Sequence, residues 1–304
     1  MFTSIRKYVD FSSINSSVKY LSISAFLTGV ALGYFFTVIV ITQKLNGYSE
    51  STIGIVAASF SLGLVSAGFF VSKILSKLGL YRMLLLSVSI QTVSLLAMFI
   101  YFNPINLALC HLIMGIMGGM NWMTMDTWVN IVSNDKNRGK AIGLYNSSIS
   151  IGFAVGPLIV ALFGSQGLIP IILCLLLMII RIPALYIIKN HINNVKIPEQ
   201  VKKINFSLIK VAPFIFIAVF IGGINDSSFG ALFPAYMINE LFTDRSIGFY
   251  FFVGAFGGVL SQPFVGAFAD KVNKRKFLFS LLICHIIWPL LLFNFISFPL
   301  IIIS

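Results

Sequence analysis

Charge is what this sequence has least of. Only 10% of its 304 residues are Asp, Glu, Lys or Arg, against about a quarter in soluble domains. A surface able to keep the chain dispersed in water is therefore missing, which excludes the ordinary globular enzyme and the disordered tail. Acid is scarcest, with nine Asp and Glu against 21 Lys and Arg and a net charge of +12. Cysteine is rare too: Cys110, Cys174 and Cys284 all lie in apolar runs without metal-like spacing, which excludes a disulfide scaffold and a thiolate metal site. HExxH, nucleophile-elbow and phosphate-loop motifs are absent, so no enzyme chemistry, no direct use of ATP and no cofactor or metal is expected.

What is present is hydrocarbon. With 58% hydrophobic residues and a mean hydropathy of +0.97, the chain reads as an all-α integral membrane protein, because only a helix satisfies its own backbone in lipid at these run lengths. Apolar runs cover about 20–42, 52–72, 83–102, 106–131, 141–164, 168–188, 213–238, 246–269 and 277–296, nine spans in all. The run after Lys19 exceeds a signal peptide's apolar core and is read as a retained helix. Residues 299–304 form a stub too short to cross.

Counting loops alternately places 18 Lys and Arg on one side and only Lys44 and Arg245 on the other. Basic residues stay in the cytoplasm, so the amino terminus is expected inside, in a plasma or bacterial inner membrane. The spacing of these cations between spans excludes a nucleic-acid surface. Arg181, eight residues before Lys189, is expected to snorkel to the cytoplasmic surface. Residues 189–212 read as a cytoplasmic linker between an N-terminal six-helix bundle (1–188) and a partial C-terminal bundle (213–304).

The two parts repeat. At an offset of 194 residues Gly29 meets Gly223, Glu50 meets Asp244, Ile53-Gly54 meets Ile247-Gly248, Gly63 meets Gly257 and Lys77 meets Lys271. Six spans separate the copies, so both start on the same side and the halves are parallel.

On these residues the chain resembles the major facilitator superfamily. The loop after the second helix of each half resembles the family's gating-loop motif: Gly266, Asp270, Lys271, Lys274 and Arg275 in the second half, with Asn273 at the second glycine position, and Lys77, Gly79 and Arg82 in the first, where Ser72 and Ser76 replace Gly and Asp. The resemblance implies that Asp270 docks on the amino end of the fifth helix, near Arg138-Gly139-Lys140, where a helix dipole favours an anion. Gly143, Gly152 and Gly156-Pro157 resemble a glycine-rich fifth-helix motif of the family's exporters, with Ile159, Val160 and Ala161 where further glycines would stand. Their small side chains suit close helix packing and Pro157 adds a kink. His111 with Gly115 and Gly118-Gly119 resembles a fourth-helix motif whose first position is normally Arg; His there is either a packing residue or a proton carrier.

The resemblance implies a secondary transporter working by alternating access on a small molecule, coupled to protons. Two acids lie at membrane depth, Asp126 and Asp226, where a charge costs about 2.5–3.5 kcal/mol on insertion scales. Both are candidates for proton coupling or cation recognition. Gly115, Gly119, Trp122 and Asp126 fall on one helical stripe, with Asn121, Met125 and Trp128 beside it, an arrangement suited to an amphipathic or cationic ligand. The alternative for Asp126 is a pair with a basic loop residue. Asn225, Asp226, Ser227 and Ser228, bracketed by Gly222-Gly223 and Gly230, read as an irregular, cavity-lining segment or as a polar knot between helices. Tyr34, Thr37, Asn146 and Tyr236 are further polar contacts. Because the second half holds three helices and a stub, the rival reading is a truncated or split-gene fragment of such a transporter. A membrane-bound enzyme is a second rival, without a catalytic constellation to support it. The cargo and oligomeric state are not legible.

Overall fold

The computed structural model describes residues 14–133, 138–191, 213–269, 272–273, 276–284 and 287. All its regular structure there is helical: α1 (Ser16–Leu45), α2 (Glu50–Leu78), α3 (Leu80–Ile100), α4 (Pro104–Val132), α5 (Arg138–Phe163), α6 (Leu168–Ile179), α7 (Arg181–His191), α8 (Pro213–Asn239) and α9 (Asp244–Ala269). Residues 276–284 are helical as well. Among the described residues seven segments are long and apolar enough to cross a membrane, the sixth being α6 and α7 together, Leu168–Lys189. The chain is a multi-pass membrane protein. The linker from 192, the stub at 299–304, Asp270, Lys271, Arg275 and His285 lie outside the described residues.

Helix ends follow local chemistry. Asn15, Ser49 and Asn103 cap α1, α2 and α4 by accepting from backbone N–H groups of Ser17, Thr52 and Asn106, as side-chain caps do. Only Gly79 separates α2 from α3; its φ of +80° and ψ of 165° are accessible to glycine almost alone. The sixth span breaks at Ile180. Pro183 lacks the N–H that would bond the carbonyl of Ile179, and α7 restarts at Arg181.

Two compact units are present, Met1–Lys202 with Ala231–Val259, and Lys203–Gly230 with Leu260–Ser304. The larger is built on two backbone seams. Between α1 and α5, a Cβ on Gly29 would stand 2.3 Å from the Ile149 carbonyl oxygen, and one on Gly152 would stand 2.3 Å from that of Phe26. Gly33 and Gly156 continue the seam. Between α2 and α4, Gly63, Gly115 and Gly119 do the same, a Cβ on Gly115 falling 2.0 Å from the Phe60 oxygen. Only glycine permits such approach. Gly143 does not share in this: a Cβ there meets open space among the described residues, because it lies on the exposed side of α5, while Ala141 beside it packs on Ile14 and Val18.

Two apolar clusters fill this unit. One joins Tyr34, Phe35 and Ile39 to Ile53, Met98, Leu107, Met178 and Ile247; the other joins Leu21 and Ala25 to Met83, Val88, Met125, Trp128 and Leu185.

Candidate functional site

Between these clusters lies a small polar cavity. Its volume of about 10 Å³ is on the order of one water. Thr28, Gln91, Asn121, Trp122, Tyr145 and Arg181 contribute its polar lining, from α1, α3, α4, α5 and α7. Trp122, 44% exposed, is the lining residue open to the outside; the others are buried.

Arg181 overturns its sequence expectation. It is 1% exposed and does not snorkel. Its Nη1 donates to Gln91 Oε1 at 3.0 Å and also lies 3.4 Å from Met178 Sδ, while Nε and Nη2 have no hydrogen-bond partner. The reason is direction. A helical side chain leans toward its helix's amino end, and in the sixth span that end lies away from Lys189. Gln91 is fixed in turn: its Nε2 donates to the Met114 carbonyl at 3.4 Å, and Gly118 leaves room for it, since a Cβ there would stand 3.3 Å from Nε2.

The fourth-helix stripe divides. Gly115 and Gly119 face α2, whereas Trp122 faces the cavity with Asn121 and Met125 from the adjacent stripe. Trp128 is buried with an unpartnered Nε1. Asp126 is half-buried and hydrogen-bonded to the Tyr145 hydroxyl of α5. It also lines an open cavity of about 490 Å³ with Thr127, Asn130 and Arg138. Trp122 thus shares its cavity with the cation Arg181, while Asp126, one turn further along the helix, lines the other.

Other expected contacts are more dispersed. Tyr34 is fully buried with no partner for its hydroxyl. Thr37 donates to the Gly33 carbonyl of its own helix at 2.9 Å. Asn146 and Tyr236 are exposed. His111 is 3% exposed, packs on Phe35 and donates through Nδ1 to the Leu107 carbonyl at 2.8 Å; a carbonyl only accepts, so Nδ1 carries the proton. In the smaller unit Asp226 is exposed and Asn225 half-buried. The helix runs unbroken through both, so the expected irregular segment is not there. A continuous helix keeps every backbone group paired in lipid. Lys77 and Arg82 are exposed beside Gly79, and Gly266 lies within α9. Among the described residues no cluster of His, Cys, Asp and Glu could hold a metal.

A second feature was not read from the sequence. Asp244, at the first turn of α9, accepts from the backbone N–H and hydroxyl of Ser165 at 2.7 and 3.0 Å, across the α5–α6 loop. Its repeat mate Glu50 pairs with Lys44 and accepts from Asn239 Nδ2 at 2.9 Å. Beside them Gly248 lets α9 close on α5: a Cβ there would lie 2.6 Å from the Pro157 oxygen.

Residues 21–304 match the sequence profile described as Major Facilitator Superfamily. The chain is 26% identical over 263 residues to the uncharacterized MFS-type transporter YfkF of Bacillus subtilis (strain 168), covering 84% of this chain and 67% of that one. Among solved structures it is similar to a nucleoside transporter, NupG, at a TM-score of 0.67 and 14% identity, over 84% of this chain and 69% of that one. A bacterial homologue of the human lysosomal transporter Spinster, inward-facing and unoccupied, gives a TM-score of 0.66 at 12% identity, over 86% and 64%. The chain spans about two thirds of the length of these relatives.

Proposed function

The chain belongs to the Major Facilitator Superfamily, a fold of transporters and not of enzymes, and from that premise we propose that it serves secondary active transport of a small molecule by alternating access. The observation that carries this reading is the polar cavity held between two apolar clusters of one helical bundle; buried polar groups at membrane depth mark substrate or ion paths. Residues 1–188 act as one bundle, 189–212 as a linker and 213–304 as part of the other. The amino terminus lies in the cytoplasm. On the outer side, the contacts of Glu50 with Asn239 and of Asp244 with Ser165 are broken when the cavity opens outward.

Asp126, with Tyr145 beside it, and Asp226, with Asn225, exchange protons in the cycle. Tyr34, Trp122 and Asn146 add contacts to the cargo. Lys77, Gly79, Arg82, Gly266, Asp270, Lys271 and Arg275 form the gating loops. In proteoliposomes, D126N and D226N are expected to uncouple uptake from a pH gradient. Unchanged pH dependence in both removes the coupling.

A second reading is the better supported of the two: the 304 residues are a fragment of such a transporter and do not turn over alone. One observation favours it, the two-thirds span of the relatives' length. Cargo binding without counterflow in proteoliposomes supports the fragment; counterflow by the chain alone excludes it.

A further inference from the structure

We propose that Arg181 is the anchor for a negatively charged group, a carboxylate or similar monoanion, so that the cargo is an organic anion; the word cargo rests on the transport reading above. The guanidinium is 1% exposed and lies between apolar clusters of the same bundle. Among the described residues the one salt bridge joins Lys44 to Glu50, and no carboxylate lines the cavity that Arg181 borders. A buried cation needs a counter-charge or full hydrogen bonding. Arg181 has two protein acceptors, Gln91 Oε1 and the weakly accepting Met178 Sδ, both at Nη1, and its Nε and Nη2 remain unpartnered. Those two groups belong to the planar donor fork that matches a carboxylate's two oxygens.

The surroundings fit the same charge. Gln91 cannot turn its amide to donate into the cavity without losing both Arg181 and the Met114 carbonyl, so it holds the fork in place. Asn121, 5% exposed, supplies an amide able to donate to a second oxygen. Trp122 at the open side offers an apolar wall for the rest of the molecule. Asp126 is engaged with Tyr145, which lines this cavity, but itself lines a different one. The volume holds about one water as it stands, so a charged head group enters at Trp122 and the cavity widens around it.

The test uses the purified full chain in detergent at fixed ionic strength. Thermal-shift titrations compare acetate and benzoate with their neutral counterparts acetamide and benzamide. Each carboxylate is expected to bind at least about tenfold more tightly than its amide, and R181Q is expected to abolish that preference. Because R181Q also removes the hydrogen bond to Gln91, Q91E is the second variant. It places an acid against the guanidinium at the cost of the hydrogen bond to the Met114 carbonyl, so it is expected to keep a cooperative melting transition and to remove carboxylate binding from a folded protein. Equal response to acid and amide in the unmodified chain overturns the proposal, as does a preference that survives R181Q or Q91E. Carboxylate binding without counterflow would count against the transport reading alone. Counterflow of cargo with no carboxylate preference would count against this inference alone.

Discussion

A single residue decides how closely two helices approach here. At Gly152 a Cβ would sit 2.3 Å from a backbone oxygen of α1, and a backbone cannot move aside as a side chain can. G152V is therefore expected to cost about 1–3 kcal/mol by overpacking, a fall on the order of 5 °C in apparent melting temperature. G143A, facing open space, is expected to leave it unchanged. Differential scanning fluorimetry in detergent checks both, and equal effects would refute the seam. As a motif the two glycines looked alike, yet nine residues at about 100° each put them on opposite faces of α5, and only the face bearing Gly152 meets α1. Arg181 failed for a related reason. Its distance from Lys189 was legible, whereas the direction of the side chain required the helix's polarity and the position of Gln91, 90 residues away.

At the scale of the element, the spans were nearly all legible, since backbone satisfaction in lipid ties a long apolar run to a helix. What composition concealed was the break at Ile180 and the continuity of α8 through Asn225 and Asp226. Pro183 contained the first, by removing one hydrogen bond. The glycines around Asp226 suggested irregularity, yet glycine in a helix costs only about 1 kcal/mol, less than an unpaired backbone in lipid. The contact between the first turn of α9 and the α5–α6 loop could not be read at all, although the repeat had already matched Glu50 with Asp244. Asp244 takes two hydrogen bonds from Ser165. Charge-assisted bonds of this kind contribute about 1.5–3 kcal/mol each. D244A is expected to raise amide hydrogen exchange across 163–168 by tenfold or more, read by mass spectrometry. Exchange no faster than in the unmodified chain would show that the loop is held by other contacts.

For the whole molecule, the 18-to-2 distribution of Lys and Arg between the two sides sets an expected orientation with the amino terminus in the cytoplasm. Alkaline phosphatase fused after Asn46 is expected to be active and after Gly79 inactive; the reverse pattern would invert the molecule. The sixth span has a further consequence for how the protein is made. It is the most apolar of the seven, with ten Leu and Ile between 168 and 180, and each favours insertion by roughly 0.3–0.6 kcal/mol while an Arg near the centre opposes it by about 2.5–3.5. The hydrocarbon of one helix thus offsets the charge it carries. Biogenesis can therefore deliver Arg181 into the bilayer without help from Gln91, whose helix is made earlier, and the order in which the helices leave the translocon need not be the order in which they find one another.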